Sequence, residues 1–88
     1  MPYIEPHERE GLVVLVTPTT PGQLNYAITK LCHQWIRARG TTYGHINEAI
    51  GVLECAKLEL YRMAAAPYED LKRAQNGPVS TLDSQETK

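Results

Sequence analysis

The stretch from Thr42 to Ala66 is the longest run in the sequence that is compatible with a single secondary structure. Advancing about 100° per residue places its large aliphatic residues on one arc of a helix. The centre of this arc holds Ile46, Ile50, Leu53, Leu60 and Ala64. A half-buried strand would need alternating polar and apolar residues, and the run has no such alternation. We therefore predict a helix, with Thr42 as its N-cap and Pro67 as the residue that stops or kinks it.

Two residues interrupt the pattern of this central helix. Lys57 falls near the middle of the apolar arc, one turn after Glu54. Burial of an unpaired ammonium is costly, so we expect Lys57 to pair with Glu54 or reach solvent, and the alternative is an anion contact in an oligomer cavity. Gly51 lies mid-helix, where glycine costs about 1 kcal/mol relative to alanine. We expect close approach of another helix to explain it, with a ligand near the backbone as the alternative.

The remaining chain predicts further helices. Thr20 followed by Pro21 is a typical helix start, and the stripe of Leu24, Ile28, Leu31 and Trp35 predicts a helix as far as about Arg39. Gly40 suits the end of that helix, and the short connection to the central helix predicts an antiparallel hairpin.

The two ends of the chain are less regular. We predict a short helix over Pro6 to Val16, although the β-branched run LVVLV within it favours a strand. Pro67 can open a last short helix that ends at Asn76-Gly77. The fold is therefore predicted to be all-α, with one helical domain over residues 1–77 and a disordered polar tail over residues 78–88.

Length and charge limit the classes of function. A core built from 88 residues is marginally stable, and oligomerisation is a common remedy, so we expect a homo-oligomer formed through the wide apolar arc. The net charge of −1 gives no reason to expect general affinity for nucleic acids or acidic membranes. No apolar run approaches the roughly 20 residues of a membrane span, and the N-terminus has no signal-peptide pattern. We expect a cytoplasmic protein without a membrane partner.

The sequence contains no recognisable catalytic motif. Cys32 and Cys55 are expected to be free thiols, since their spacing does not match a zinc site. His45 and Glu48 are spaced i, i+3, but two ligands alone are a weak metal signal. No nucleophile–base arrangement or glycine-rich phosphate loop is present. We therefore expect a protein that is not an enzyme and has no metal or cofactor.

Four segments of the sequence resemble a known family. These are the opening MPYI, then GQLNYAITKL, INEAIGVLECAKLELYR and APYEDLKRAQNG. They are similar to segments of a family of small uncharacterised proteins that are common in bacteriophage and prophage genomes, over roughly residues 1–77. The resemblance implies a helix after Pro6, and it implies a phage accessory protein that acts in a bacterial cytoplasm. It implies no established activity and no catalytic residue.

Two groups of residues are candidates for binding. Tyr26, Lys30, His33 and Arg37 form one stripe on the helix that begins at Pro21, where basic groups and an aromatic ring could hold phosphates and a base. The alternative is an ordinary solvated helix face. The second group is Tyr61, Arg62 and Tyr68, residue types that are favoured in binding hot spots. The alternative here is that Tyr68 packs and Arg62 pairs with Glu69 or Asp70.

Three functions remain as hypotheses. The first is sequestration of a small phosphate-bearing molecule, such as a nucleotide immune signal, in a pocket between protomers. Its phosphates would meet Lys30, Arg37, Lys57 and Arg62, and its base would stack on Tyr26, Tyr61 or Tyr68. The second is a protein-binding inhibitor of a host enzyme, which would use the exposed side of the hairpin. The third, a DNA-binding helix-turn-helix, is disfavoured by the near-neutral charge.

Overall fold

The computed structural model describes residues 2–9 and 16–83, and all the regular structure in those residues is helical. The elements are α1 (Pro6–Arg9), α2 (Pro21–Arg39), α3 (Tyr43–Leu60), a π-helical turn (Tyr61–Ala65) and α4 (Ala66–Asn76). The all-α prediction is therefore confirmed. The chain divides into two compact units, the hairpin unit (Met1–Ala56) and the C-terminal unit (Lys57–Lys88).

Helix α2 begins and ends at the residues that the sequence predicts. The Thr20 hydroxyl accepts a hydrogen bond from the backbone N–H of Gln23 at 3.1 Å, and Pro21 occupies the first turn. The side chain of Gln23 in turn accepts from the backbone N–H of Thr19 at 2.8 Å. At the other end Gly40 has φ +114° and donates its N–H to the carbonyl of Ile36. Both ends of α2 therefore have partners for backbone groups that the helix itself leaves unpaired.

The connection of residues 40–42 turns the chain directly into α3. The hydroxyl of Thr42 accepts from the backbone N–H of His45 at 3.1 Å, which confirms Thr42 as the N-cap of α3. Residues 33–37 of α2 share a groove with Ile46, whereas Leu31 and Cys32 share another with Ala49 and Val52. The residues that line these grooves run backward along α2 as they run forward along α3, which is the order of an antiparallel hairpin.

The core of the hairpin is very small. Among the described residues, Ala49 alone is buried, with 7% of its surface exposed. Helix α2 turns half-buried Cys32 and Ile36 inward, whereas Leu24 and Leu31 of the predicted stripe are 51% and 65% exposed. The stripe that predicts α2 is therefore not the face of α2 that is covered in the single chain. Helical periodicity identifies an apolar face, but the contacts near the turn decide which edge of that face meets α3.

Gly51 has no crowded surroundings in the hairpin unit. A Cβ built on Gly51 would meet no atom within 4 Å apart from the neighbouring helical backbone. Among the described residues of the single chain, no other helix approaches Gly51 closely, although the sequence had suggested that one would. Glycine leaves this part of α3 with more freedom than an alanine would allow.

Of the two effects predicted for Pro67, a stop and a kink, the structure excludes the stop. Helical structure continues through the π-helical turn into α4, which contains Pro67 in its first turn. In the π-helical turn the N–H of Ala66 donates to the carbonyl of Tyr61, five residues back. A proline ring clashes with the carbonyl four residues earlier in an α-helix. The wider turn just before Pro67 accommodates the ring without ending the helix.

The predicted N-terminal helix is confirmed only for its first turn. Helix α1 covers Pro6–Arg9, and the side chain of Arg9 donates to the carbonyl of Ile4 at 2.9 Å. Val16 is not helical, so the predicted end at Val16 was wrong. The rest of the β-branched run and the question of helix or strand there fall on residues 10–15, which lie outside the described residues.

Helix α4 ends as predicted, and a hydrogen-bonded turn follows it. Gly77 has φ +88° and donates its N–H to the carbonyl of Arg73. The carboxylate of Asp83 accepts from the backbone N–H groups of Val79 and Ser80, each at 3.0 Å. The guanidinium of Arg73 donates to the carbonyl of Asp83 at 2.7 Å. The predicted domain boundary at residue 77 and the disorder of residues 78–88 stay predictions.

None of the helices in the part of the chain that the structure describes combines the length and the apolarity needed to cross a lipid bilayer.

Candidate functional site

The predicted basic stripe of α2 is divided between two grooves of the hairpin unit. His33 and Arg37 line one groove, together with residues at the start of α3. Tyr26 and Lys30 line another, which runs along α2 beside Pro18 and Leu24. All four candidates are exposed. The structure therefore pairs His33 with Arg37, and Tyr26 with Lys30, at different places on the hairpin.

The groove at the turn of the hairpin has the composition of a small-molecule site. We call it the basic groove; its volume is about 340 Å³ and it is lined by His33, Ile36, Arg37, Thr41 and Ile46. Ile36 and Ile46 make an apolar floor. Arg37 offers a permanent positive charge with several N–H donors, and Thr41 offers a hydroxyl. An apolar surface with a few convergent polar groups is the usual form of a ligand pocket.

A second group of side chains at the turn was not singled out by the sequence. The ring of Trp35 meets the ring of His45 edge to face, with centroids 6.2 Å apart. The guanidinium of Arg39 lies 5.1 Å from the centroid of the Trp35 ring. The i, i+4 spacing of Trp35 and Arg39 places the two side chains next to each other on a helix. This spacing is the signal in the sequence from which the contact could have been predicted.

His45 has a structural role at this turn. Its Nδ1 lies 2.7 Å from the carbonyl oxygen of Gly40. A carbonyl can only accept, so Nδ1 must carry the proton and donate. Within residues 2–9 and 16–83, no group of three or more His, Cys, Asp or Glu side chains is placed to hold a metal ion.

The candidates of the C-terminal unit form local pairs. The hydroxyl of Tyr61 donates to the carboxylate of Glu69 at 3.0 Å, and this bond and the negative charge of Glu69 raise the pKa of Tyr61 above its ordinary value. Arg62 forms an ion pair with Glu59 at 2.9 Å. The ammonium of Lys72 lies 5.6 Å from the centroid of the Tyr68 ring.

These pairs differ from the ones that the sequence suggested. Pairing of Arg62 with Glu69 or Asp70 was the expected alternative to ligand binding, but the structure pairs Arg62 with Glu59. The partner lies one turn before Arg62 on the same helical surface, and an i, i+3 pair needs no further folding to meet. Glu69 is thereby left to accept from Tyr61.

Lys57 belongs to the same unit, and its side chain is exposed. It therefore does not place an ammonium in an apolar interior of the single chain, and the alternative of an anion contact in an oligomer stays a prediction. Cys32 and Cys55 are free cysteines, as expected; Cys32 is half-buried and Cys55 is exposed.

The comparison with known proteins gives one match. No curated protein and no solved structure matches the chain. The model of a family described as a domain of unknown function, DUF6899, matches residues 1–79. This match covers the hairpin, the π-helical turn and α4, so the chain belongs to the DUF6899 family.

Proposed function

We propose that this protein is a non-enzymatic, phage-type accessory protein that works in the bacterial cytoplasm as a homo-oligomer. It sequesters a small molecule that carries phosphate, such as a nucleotide signal of the host's defence. No cofactor or membrane takes part in this function.

The observation that carries the ligand proposal is the basic groove. Arg37 and His33 stand beside the apolar floor of Ile36 and Ile46. A guanidinium can donate two parallel hydrogen bonds to a phosphate, and the aliphatic floor can cover one face of a base. The volume of about 340 Å³ lies at the small end of the range for ligand sites, which suits a group the size of one nucleotide.

The oligomeric part of the proposal is supported by exposed apolar surface. Large apolar side chains of the hairpin stay substantially exposed in the single chain; they include Leu24, Leu31 and Val52. Side chains of this kind gain free energy when they leave water, at about 25 cal/mol for each Å² of apolar surface. A second copy offers the same kind of surface and could cover them.

Calorimetric titration of the protein with a panel of mono-, di- and cyclic nucleotides tests the ligand proposal. We expect binding at micromolar protein that Arg37→Ala weakens at least about tenfold, since a lost charge-assisted hydrogen bond is worth about 1.5–3 kcal/mol. Lys72→Ala removes the same charge far along the sequence, in α4, and should leave the affinity unchanged. Absence of heat with every nucleotide, or equal affinity of the two variants, would remove the proposal.

A second candidate function is inhibition of a host enzyme by direct protein binding. The observation that favours it is a set of half-exposed side chains in the C-terminal unit, namely Tyr61, Met63, Tyr68 and Leu71. Tyrosine and methionine are enriched at protein interfaces. Pull-down from bacterial lysate with the wild type and with Met63→Glu separates the two functions, because a sequestering protein needs no protein partner. A specific enzyme captured by the wild type alone would favour inhibition.

A further inference from the structure

We propose that one face of the hairpin, on a different edge from the apolar arc of α3, is where a second copy of this chain packs. The hairpin face consists of Leu24, Ala27, Leu31, Trp35, Ala49 and Val52. Two hairpins that meet through this face form a four-helix bundle. The inference deepens the oligomeric part of the proposed function, and it holds whichever ligand is bound.

The first observation is the groove between the two helices. Its volume is about 290 Å³, and it is lined by Leu31, Cys32, Trp35, Ala49 and Val52. Leu31 and Val52 are 65% and 62% exposed. Leu31 also lines the groove that continues along α2 toward Leu24. The two grooves therefore adjoin at Leu31.

The second observation is the absence of a second layer in the hairpin unit as far as the structure describes it. A stable domain packs two layers of helices or sheets around a core, and each layer covers the apolar face of the other. The hairpin is a single layer of two helices in which Ala49 alone is buried. Antiparallel hairpins joined by short loops supply each other's second layer in four-helix bundles.

The charge of the hairpin face identifies the partner. Of the described residues, five line the first groove, and none of these five carries a charge. In a two-fold symmetric dimer the same face of each copy forms the interface. A charged face would therefore meet its own charges, and an uncharged face avoids these like-charge contacts. Lys30 and Gln34 line the second groove, where they would supply the polar rim that interfaces usually have. A strongly charged partner would find no complementary charge in the centre of the face.

The available area is sufficient for a dimer. The 19 residues of α2 make a helix about 28 Å long, and two helices side by side are about 20 Å wide. The face therefore offers on the order of 500 Å² in each copy, or about 1,000 Å² in a pair, which reaches the lower bound of about 1,000 Å² for a specific interface.

Sedimentation equilibrium of two matched variants tests the proposal. Leu31→Glu puts a charge on the hairpin face, and Ile50→Glu puts one on the apolar arc of α3, where Ile50 is 58% exposed. Both residues are exposed in the single chain, so neither charge should unfold the subunit, and circular dichroism checks this. We expect Leu31→Glu to raise the dissociation constant of the dimer at least about 100-fold, because it buries an unpaired carboxylate from each copy. Ile50→Glu should change it less than about threefold.

Thiol labelling gives a second, independent measurement on the wild-type protein. Cys32 lies in the groove of the hairpin face and Cys55 is exposed. Above the dissociation constant we expect a thiol reagent to modify Cys32 at least about tenfold more slowly than Cys55, and dilution should raise the rate at Cys32 to that of a half-buried thiol in the single chain. A monomer at all concentrations, dissociation by Ile50→Glu, or protection of Cys32 that does not change on dilution would each overturn the proposal. Failure of nucleotide binding would leave these results unaffected.

Discussion

The Nδ1 atom of His45, in the first turn of α3, donates a hydrogen bond to the carbonyl of Gly40, where α2 ends, at 2.7 Å. The same imidazole meets the edge of the Trp35 ring. One side chain therefore joins the end of one helix, the start of the next and an aromatic residue of α2.

Replacement of His45 by alanine should destabilise the hairpin. The variant loses a half-buried hydrogen bond and an aromatic contact, which together are worth about 1–2 kcal/mol in the free energy of unfolding. Urea denaturation at one fixed protein concentration measures the change, since association also contributes to stability. His33→Ala is the control, because His33 is exposed on the surface of α2. Equal stability of the two variants would contradict the assigned role of His45.

Gly40→Ala and Gly51→Ala should have opposite effects. Gly40 has φ +114°, which L-residues rarely adopt, so alanine should destabilise the protein by about 1–2 kcal/mol. The cost is conformational, because a Cβ at Gly40 would meet its nearest atom, Nδ1 of His45, at an ordinary 3.8 Å.

At Gly51 a Cβ would meet nothing within 4 Å, so alanine should stabilise α3 by about 0.5–1 kcal/mol. Thermal unfolding measures both changes. Destabilisation by Gly51→Ala together with weaker association would instead show that a partner approaches the backbone at this position.

The Tyr61–Glu69 pair should make stability depend on alkaline pH. The hydrogen bond to Glu69 and its negative charge raise the pKa of Tyr61 above the ordinary 10.0. The folded state favours the neutral phenol of Tyr61. The contribution of this pair to folding stability is therefore fully present below pH 10, and it is lost as the pH rises through the raised pKa. Ultraviolet absorbance of tyrosinate, taken as the difference between wild type and Tyr61→Phe, gives the titration of this residue. The same measurement in a Glu69→Gln background should give a pKa for Tyr61 closer to the ordinary 10.0. An unchanged titration curve would contradict the pairing of Tyr61 with Glu69.

Asp83 should make the turn after α4 sensitive to acid. Backbone N–H groups of Ser80 and Val79 hold the pKa of Asp83 below the ordinary 3.8, and Arg73 lowers it further. Ionised Asp83 therefore stabilises the turn fully above pH 3.8, and this stabilisation is lost as the pH falls through the lowered pKa. The amide NMR signals of Val79 and Ser80 should move as Asp83 takes up its proton. Asp83→Asn should show no such transition, and a transition that persists in this variant would assign the change to another group.

Local signals in the sequence predicted the helix ends well. Thr20, Thr42 and Gly40 act through their own backbone neighbours, so their roles follow from residue type and position alone. The free cysteines and the all-α class were also predicted correctly from the sequence. Pro67 does not stop the helix, because a π-helical turn next to it removes the clash that a proline meets in an α-helix.

The candidate site was less predictable from the sequence. Helical spacing places Tyr26, Lys30, His33 and Arg37 in one stripe, but the start of α3 closes a groove around His33 and Arg37 only. Arg62 was assigned a partner downstream, and the ion pair formed with Glu59 instead. The first difference comes from α3, which a projection of α2 alone does not contain, whereas the i, i+3 spacing of Glu59 and Arg62 was a local signal that could have predicted the second.

The sequence by itself determined where the principal helices lie and where α2, α3 and α4 begin or end within a few residues, because caps, glycines and periodicity act over one turn of backbone. The tertiary structure decided which edge of α2 faces α3, that Ala49 is the residue buried between them, and that His33 and Arg37 share one groove. These features depend on contacts between segments, and the apolar arcs of both helices are wider than one partner helix can cover.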